Sequence, residues 1–494
     1  MVAKILFFFK KNLSCQIFIF FMLKDYIKDL IYSNLPFSPT AGQKNLVEFL
    51  AEMMISSSSK HLLLVKGYAG TGKTSVISAF VRTLNQFKTG RLLMSPTGRA
   101  AKVLNAYSGE QAFTIHKKIY RQKSSTDGFG AFELNYNTYS NTFLIVDEAS
   151  MISYYSADRS IFGTGNLLDD LLRFSYNDRN CRLILIGDTA QLPPVGQEES
   201  PALDRRRLIA AGCEVLECEL TEVVRQTQES GILHNATIVR KQISERRTGY
   251  PALETGIFSD IERISGEDLI ETITEAYDRY GIDETAIITR SNKQANRYNQ
   301  GVRNRILYRE EELTSGDLLM VVRNNYHWVK DTENICFIAN GDIVRVIRIR
   351  KYIERYGFRF AEVDLCLPDY NQYEFSATIM LDALNSETAS ITEEQNQRLY
   401  YSVTEDYAHI TPKSEQYRQI RENPFFNALQ VKFAYAITCH KAQGGQWKGV
   451  FLDQGWLNKE MINIGYLRWL YTAITRATDK LYLVNFKDSS VRLD

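Results

Sequence analysis

The chain has 494 residues, 44% hydrophobic and 24% charged, an ordinary globular balance with room for roughly two to four domains. The formal net charge is +1, so composition gives no bulk electrostatic argument for a nucleic-acid partner, and any basic track must be local. Seven scattered cysteines, an odd number without a C-x-x-C pair, argue against a secreted disulfide scaffold; with no H-E-x-x-H there is no zinc signature, and reduced thiols in the cytoplasm are expected.

The amino-terminal stretch "ILFFFKKNLSCQIFIFFML" holds two apolar runs split by Lys10-Lys11. Neither reaches the roughly 18–20 residues that span a bilayer, so no membrane association is expected. Without a small-residue cleavage site a signal peptide is disfavoured. Residues 1–35 read as an extension, with Met22 opening "MLKDYIKDLIYSNL" as an alternative start. Ser38-Pro39 predicts a helix start, serine capping and proline in the first turn, followed by an apolar face of Leu46, Val47, Leu50 and Met54. "HLLLVK" then reads as a buried parallel strand.

That strand runs into "GYAGTGKTS", Gly67 to Ser75. The spacing Gly67-x-x-x-x-Gly72-Lys73-Thr74, between a predicted strand and a predicted helix, is a phosphate-binding loop. Across Tyr68, Ala69, Gly70, Thr71 and Gly72 the backbone turns its N–H groups toward phosphate. Lys73 is expected to reach the β- and γ-phosphates of ATP, and Thr74 to hold Mg²⁺. "RLLMSPT", "TFLIVDEAS" and "CRLILIGDT" repeat the pattern of an apolar run ending in polar residues, which marks an open α/β sheet with its ligand at the carboxyl edge. In "DEAS", Asp147 is expected to hold Mg²⁺, directly or through water, and Glu148 to polarise the attacking water. In "LIGDTAQLPPVG" the strand ends at Asp188, and Gln191 is placed to sense the γ-phosphate.

Between these strands, residues 117–141 read as a small hairpin-bearing insertion. A second set of strands, "ETAIITRS", "FAYAITCHK", "GVFLD" and "KLYLVNF", predicts a second α/β sheet. Residues 345–430 alternate as strands do and turn at Gly357, so a small β-rich module is expected there.

Taken in order, "GYAGTGKTS", "SPTGRAA", "TIHKKIY", "DEAS", "GDTAQLPPVG", "LTEVVRQ", "YAITCHKAQG" and "LYTAITRAT" resemble a superfamily 1 helicase of the RecD/Dda-like branch (superfamily 1B) from about residue 36 to 486. The resemblance implies two RecA-like motor domains with parallel sheets, 36–215 and 216–494. The first carries the 117–141 hairpin insertion and the second an SH3-like β insertion at 345–430. It implies that Gln43 reads the adenine edge and that Arg225 and Arg476 are delivered to the γ-phosphate from the second domain. Thr97, His116, Thr438 and His440 fall where the family contacts the backbone of single-stranded DNA. Gln446 departs from the pattern, standing where many relatives bind ribose with an acidic residue. The activity implied is an ATP-dependent DNA helicase, a monomeric motor travelling 5′-to-3′ on single-stranded DNA in repair, recombination or replication. The alternative is a translocase or remodeller, or the ATPase subunit of a larger complex, without unwinding of its own. No nuclease constellation accompanies these motifs.

Overall fold

The computed structural model describes residues 13–56, 61–122, 132–154, 163–176, 179–222, 230–329, 335, 337–388, 390–486 and 491–492. It begins with a helix, Leu13–Ser33, which lays Ile27 and Ile31 against Leu46, Leu50, Phe80 and Leu84. Lys24 and Lys28 of this helix both pair with Glu48, at 2.7 and 2.9 Å. The segment read as an extension therefore contributes to a core. Ile31→Ala removes a fully buried side chain and is expected to lower the unfolding free energy by about 2–5 kcal/mol, measured by chemical denaturation. An unchanged midpoint would mean that the helix is not docked. Among the described residues, no helix is long and apolar enough to cross a membrane.

The next helix, Ala41–Ile55, starts later than Ser38-Pro39 suggests. Thr40 is its cap: the Thr40 side chain accepts from Gln43 N, and the Gln43 side chain accepts from Thr40 N. This reciprocal box satisfies two orphan donors, more than a lone serine offers. Its buried face is Leu46, Val47, Leu50 and Met53, with Met54 only partly covered.

In the first lobe, β1 (His61–Gly67), β2 (Gly90–Ser95), β3 (Ala112–Thr114), β6 (Thr142–Val146), β7 (Arg182–Gly187) and β8 (Glu214–Leu220) form one parallel sheet in the order β3-β2-β6-β7-β1-β8. The four central strands are almost wholly buried, which is why they read as continuous apolar runs rather than alternating ones. β4 (Tyr120–Gln122) and β5 (Phe132–Leu134) pair antiparallel as a separate ribbon between β3 and β6.

The second lobe holds β9 (Leu253–Glu254), β10 (Ile261–Ile264), β11 (Thr285–Thr289), β17 (Ala436–Thr438), β18 (Trp447–Asp453), β19 (Ala477–Val484) and β20 (Val491–Arg492). Five of these make a parallel sheet in the order β10-β19-β18-β11-β17. Between β11 and β17 the chain builds a closed barrel from β12 (Leu318–Val321), β13 (Ile343–Arg355), β14 (Phe358–Leu367), β15 (Tyr373–Met380) and β16 (Leu429–Phe433). The barrel thus draws strands from 318 to 433. The apolar run at 433–441 is divided, Phe433 ending a barrel strand and Ala436 opening a sheet strand. Within the insertion, residues 393–406 and 413–422 are helical; a Thr392/Gln395 capping box starts the first of them.

Candidate functional site

The carboxyl edge of the first sheet carries the nucleotide motifs, because β1, β6 and β7 end side by side. Gly70 and Gly72 take φ values of +75° and +76°, where a side chain would be strained. They turn the loop after β1 into the helix Lys73–Gln86. Lys73 Nζ donates to Tyr68 O at 2.8 Å, folding the ammonium over the loop. Thr71 is fully buried, its hydroxyl donating to Tyr68 O at 2.7 Å.

Gln43 is fully buried, its Nε2 donating to Thr71 O at 2.9 Å while its oxygen caps Thr40 N. In this arrangement the amide braces the phosphate loop. The T-x-x-Q spacing of a capping box was the signal for this second role.

Asp147 follows β6, and its Oδ1 accepts from Glu148 N at 2.8 Å. Burial first, then the neighbouring Glu148 charge, push its carboxyl up to about 6 against the opposing pull of Lys73. Glu148 itself sits in the left-handed region, φ +54° and ψ +36°. A non-glycine residue there is held by its surroundings at a cost of about 1–2 kcal/mol, a pattern that recurs at active sites.

Arg476 comes from the other lobe. It lies between the helix Ile464–Ile474 and β19, only 3% exposed. Its guanidinium donates to Thr472 O, Gly445 O and Thr475 Oγ1 at 3.0–3.2 Å. One nitrogen lies 3.9 Å from Glu148 Oε1. With its amide oriented to satisfy both neighbours, Gln191 donates to Glu148 Oε2 at 3.3 Å and accepts from Arg476 Nη2 at 3.2 Å. Gln191 thus bridges the two lobes.

Tyr68, Ala69, Gly70, Gly72, Lys73, Thr74, Ser75, Asp147, Glu148, Gln191, Gln446 and Arg476 all line one cavity of about 440 Å³. Gly67 and Thr71 lie beneath it, and Gln43 sits behind Thr71. Arg225 lies outside the described residues. The donor set fits ATP with Mg²⁺: backbone N–H groups and a lysine for phosphate, a hydroxyl and a half-buried carboxylate for a divalent cation. Three further residues lining or flanking the cavity escaped the sequence. Phe37 and Tyr107 line the cavity, and Tyr107 donates to Gln446 Oε1 at 3.4 Å. Arg240, from the helix Gly231–Ser244, places its guanidinium 4.3 Å above the Tyr68 ring. None belongs to a motif, and only folding brings them here.

A second bridge runs through Tyr471. Ala69 N donates to its hydroxyl at 2.8 Å, and that hydroxyl donates to Asp188 Oδ2 at 2.6 Å. Burial and Asp188 hold the phenol well above its usual range, so it stays a donor. Beside it, Leu192 N donates to Thr472 Oγ1 and Gln443 Nε2 donates to Leu192 O, at 2.8 and 2.7 Å. Tyr471→Phe keeps the ring and deletes the shared hydroxyl. It is expected to cost about 1.5–3 kcal/mol, read as a lowered unfolding midpoint, because a buried carboxylate loses its donor. An unshifted midpoint would deny the bridge.

The residues expected on the DNA side are spread over separate elements of the two lobes. Thr97 caps the helix Gly98–Ser108 through Ala100 N. His116 lies on the short helix Ile115–Ile119, where burial lowers its ring to about 4, so it is neutral near pH 7. Thr438 ends β17 without a capping bond, and His440 is exposed two residues later. Thr97 and His116 belong to the first lobe and Thr438 and His440 to the second.

Comparison with known proteins places these features in a class. Residues 39–250 match the family described as an AAA domain, and residues 433–484 match the UvrD-like helicase C-terminal domain. These two matches, with the helicase relatives below, support an ATP-hydrolysing P-loop DNA helicase of superfamily 1B. It is 26% identical over 321 residues to the ATP-dependent DNA helicase dda of Enterobacteria phage T4, covering 62% of this chain and 67% of that protein. It is 28% identical over 201 residues to the ATP-dependent RecD2 DNA helicase of Deinococcus radiodurans, covering 40% of this chain and 24% of that one. Among solved structures, a Bacteroides Pif1 helicase in complex with ADP-AlF3 and ssDNA is 15% identical over 93% of this chain and 95% of that one, with a TM-score of 0.45.

Proposed function

We propose that the chain is an ATP-driven helicase that translocates on single-stranded DNA, 5′-to-3′, in DNA repair, recombination or replication. The motor is taken as residues 36–215 closing on residues 216–494. The observation that carries this reading is the contact between lobes at the nucleotide cavity: Arg476 from one meets Glu148 of the other, with Gln191 between them.

The roles follow from charge. Lys73 and the N–H groups of residues 69–75 would hold the triphosphate. Thr74 and Asp147 would hold Mg²⁺, which neutralises developing phosphate charge. Glu148 would orient and deprotonate the attacking water, and Gln191 would position that water or the γ-phosphate. Arg476, with Arg225 as its partner, would stabilise the charge that develops on phosphoryl transfer. Gln446 would face the ribose as an uncharged hydrogen-bonding group. Because groups from both lobes are needed at once, hydrolysis and release would open the cleft and move the strand-binding residues Thr97 and His116 relative to Thr438 and His440.

Strand displacement on duplexes with either a 5′ or a 3′ single-stranded tail tests activity and direction together. The expected result is ATP-dependent displacement of the 5′-tailed duplex. Displacement of the 3′-tailed duplex alone would reverse the direction. ATP turnover stimulated by DNA with no displacement of either would instead point to a translocase or remodeller.

A further inference from the structure

The nucleotide cavity is not the most spacious in the chain. A separate pocket of about 550 Å³ lies on the barrel, between the loop after β12, the helix Glu393–Asp406 and the segment leading into β16. Its lining brings together aromatic rings, Tyr326, Tyr400, Tyr401 and Phe426, and two guanidinium groups, Arg323 and Arg421, among several side-chain amides. Tyr400 sits edge-on to Tyr401 at 5.8 Å and tilted 58° to Phe426 at 6.0 Å, so the rings cluster without lying in one plane and each can offer its own face. Tyr401 is 65% exposed, a large apolar face turned to solvent. Neither Arg323 nor Arg421 makes an ion pair among the described residues, and the sole carboxylate lining the pocket is Glu393. Arg323 instead donates to Asn396 Oδ1 at 3.0 Å. Rings for stacking beside unneutralised guanidinium groups are the chemistry that holds unpaired nucleotides without regard to sequence.

Its position narrows the ligand further. Tyr326 stands between Phe132 of β5 and Phe337, with centroids at 4.4 and 5.1 Å. Phe337 in turn lines a different cleft, shared with Gly98, Lys102 and Lys117 of the first lobe. The ring stack therefore divides two spaces, one between the lobes and one on the barrel, beside the β4–β5 ribbon.

We propose that the barrel pocket binds unpaired nucleotides of the strand displaced from a duplex, bases stacking on Tyr400 and Tyr401 and phosphates pairing with Arg323 and Arg421. This rests on the helicase reading above. A strand parted at the ring stack would find the interlobe cleft on one side and this pocket on the other.

The test compares a forked duplex carrying both a 5′ and a 3′ arm with the same duplex lacking the 3′ arm. Wild type is expected to bind the fork about 10-fold more tightly, the scale of one stacked base. The double variant Tyr401→Ala/Arg421→Ala is expected to lose that advantage while binding the single-tailed duplex as wild type does, and Tyr401→Phe is expected to retain it. Equal weakening on both substrates would place the pocket on the tracking strand and overturn the proposal, as would no weakening on either. A fold-independent arm uses wild type alone, with 4-thiothymidine at the first unpaired position of the 3′ arm. Crosslinks are expected within residues 396–401 or 421–427; crosslinks only elsewhere would overturn it. Wild-type ATP turnover separates the two readings. Turnover that ignores single-stranded DNA would bring down the motor and the pocket together, whereas stimulated turnover without an arm effect would bring down the pocket alone.

Discussion

Lys73→Ala is expected to reduce DNA-stimulated ATP hydrolysis by at least about 10²–10³-fold, the loss typical when one preorganised charge-stabilising donor is removed. The reasoning starts from the loop. Gly70 and Gly72 fix a backbone that presents N–H groups, but these are partial charges. The triphosphate carries several full ones, and Lys73 is the full positive charge that the loop itself contributes. The fold should survive, because the Lys73 ammonium's hydrogen bond is to the loop carbonyl of Tyr68 and the adjoining helix is held by Val76, Phe80 and Leu84 in the core. The check is steady-state turnover beside a thermal melt. Normal turnover in a folded variant would dismiss the site assignment. A variant that unfolds would show instead that Lys73 supports the loop.

Arg476→Lys is expected to cost more, about 10³-fold or greater in kcat, with nucleotide affinity changed only a few-fold. Lysine keeps the charge but not the planar fork. In the structure that fork is shared: all three nitrogens donate within their own lobe, to Thr472 O, Gly445 O and Thr475 Oγ1, while Nη2 also donates to Gln191 and Nη1 lies 3.9 Å from Glu148 Oε1. A lysine cannot satisfy its own lobe and reach across at the same time. Since Arg476 is buried, the stability of the variant must be followed as well. A fall in kcat with an unchanged melt identifies a role in turnover. A melt that falls in step with kcat would reduce Arg476 to a structural residue.

The sequence made the nucleotide edge readable because its residues are local. Lys73 follows a glycine turn, and Asp147 and Glu148 follow a strand of four apolar residues, so each motif carries its own context. The same holds for the central strands of the first sheet and for β11 of the second, which are buried on both faces and therefore appear as unbroken apolar runs. Reading failed where the decisive contact is distant. β8 lies at a sheet edge, where Glu214, Glu217 and Glu219 are only partly covered or exposed, so "EVLECEL" gave no apolar run. β12 and β16 are short pieces of a barrel that closes across more than a hundred residues, and nothing near "LLMV" points to "LQVKF". Phe433 and Ala436 looked like one strand because both are apolar, though they serve different sheets. Tyr471 was only a letter within a motif; its role depends on Asp188 and Ala69, hundreds of residues earlier. Gln43 carries a second legible signal beside the role implied by resemblance: its T-x-x-Q pattern with Thr40 forms a capping box, and its amide also reaches Thr71 O.

The central claim is that two lobes share one nucleotide site, so that a strand held across them governs turnover. Steady-state ATP hydrolysis by the full chain, with and without a single-stranded oligonucleotide, tests it most directly. Turnover should be slow alone, rise at least about 10-fold with the strand by analogy with other trans-supplied arginines, and lose that rise in Arg476→Lys. Equal rates with and without DNA, or a full rise in the Arg476 variant, would contradict it.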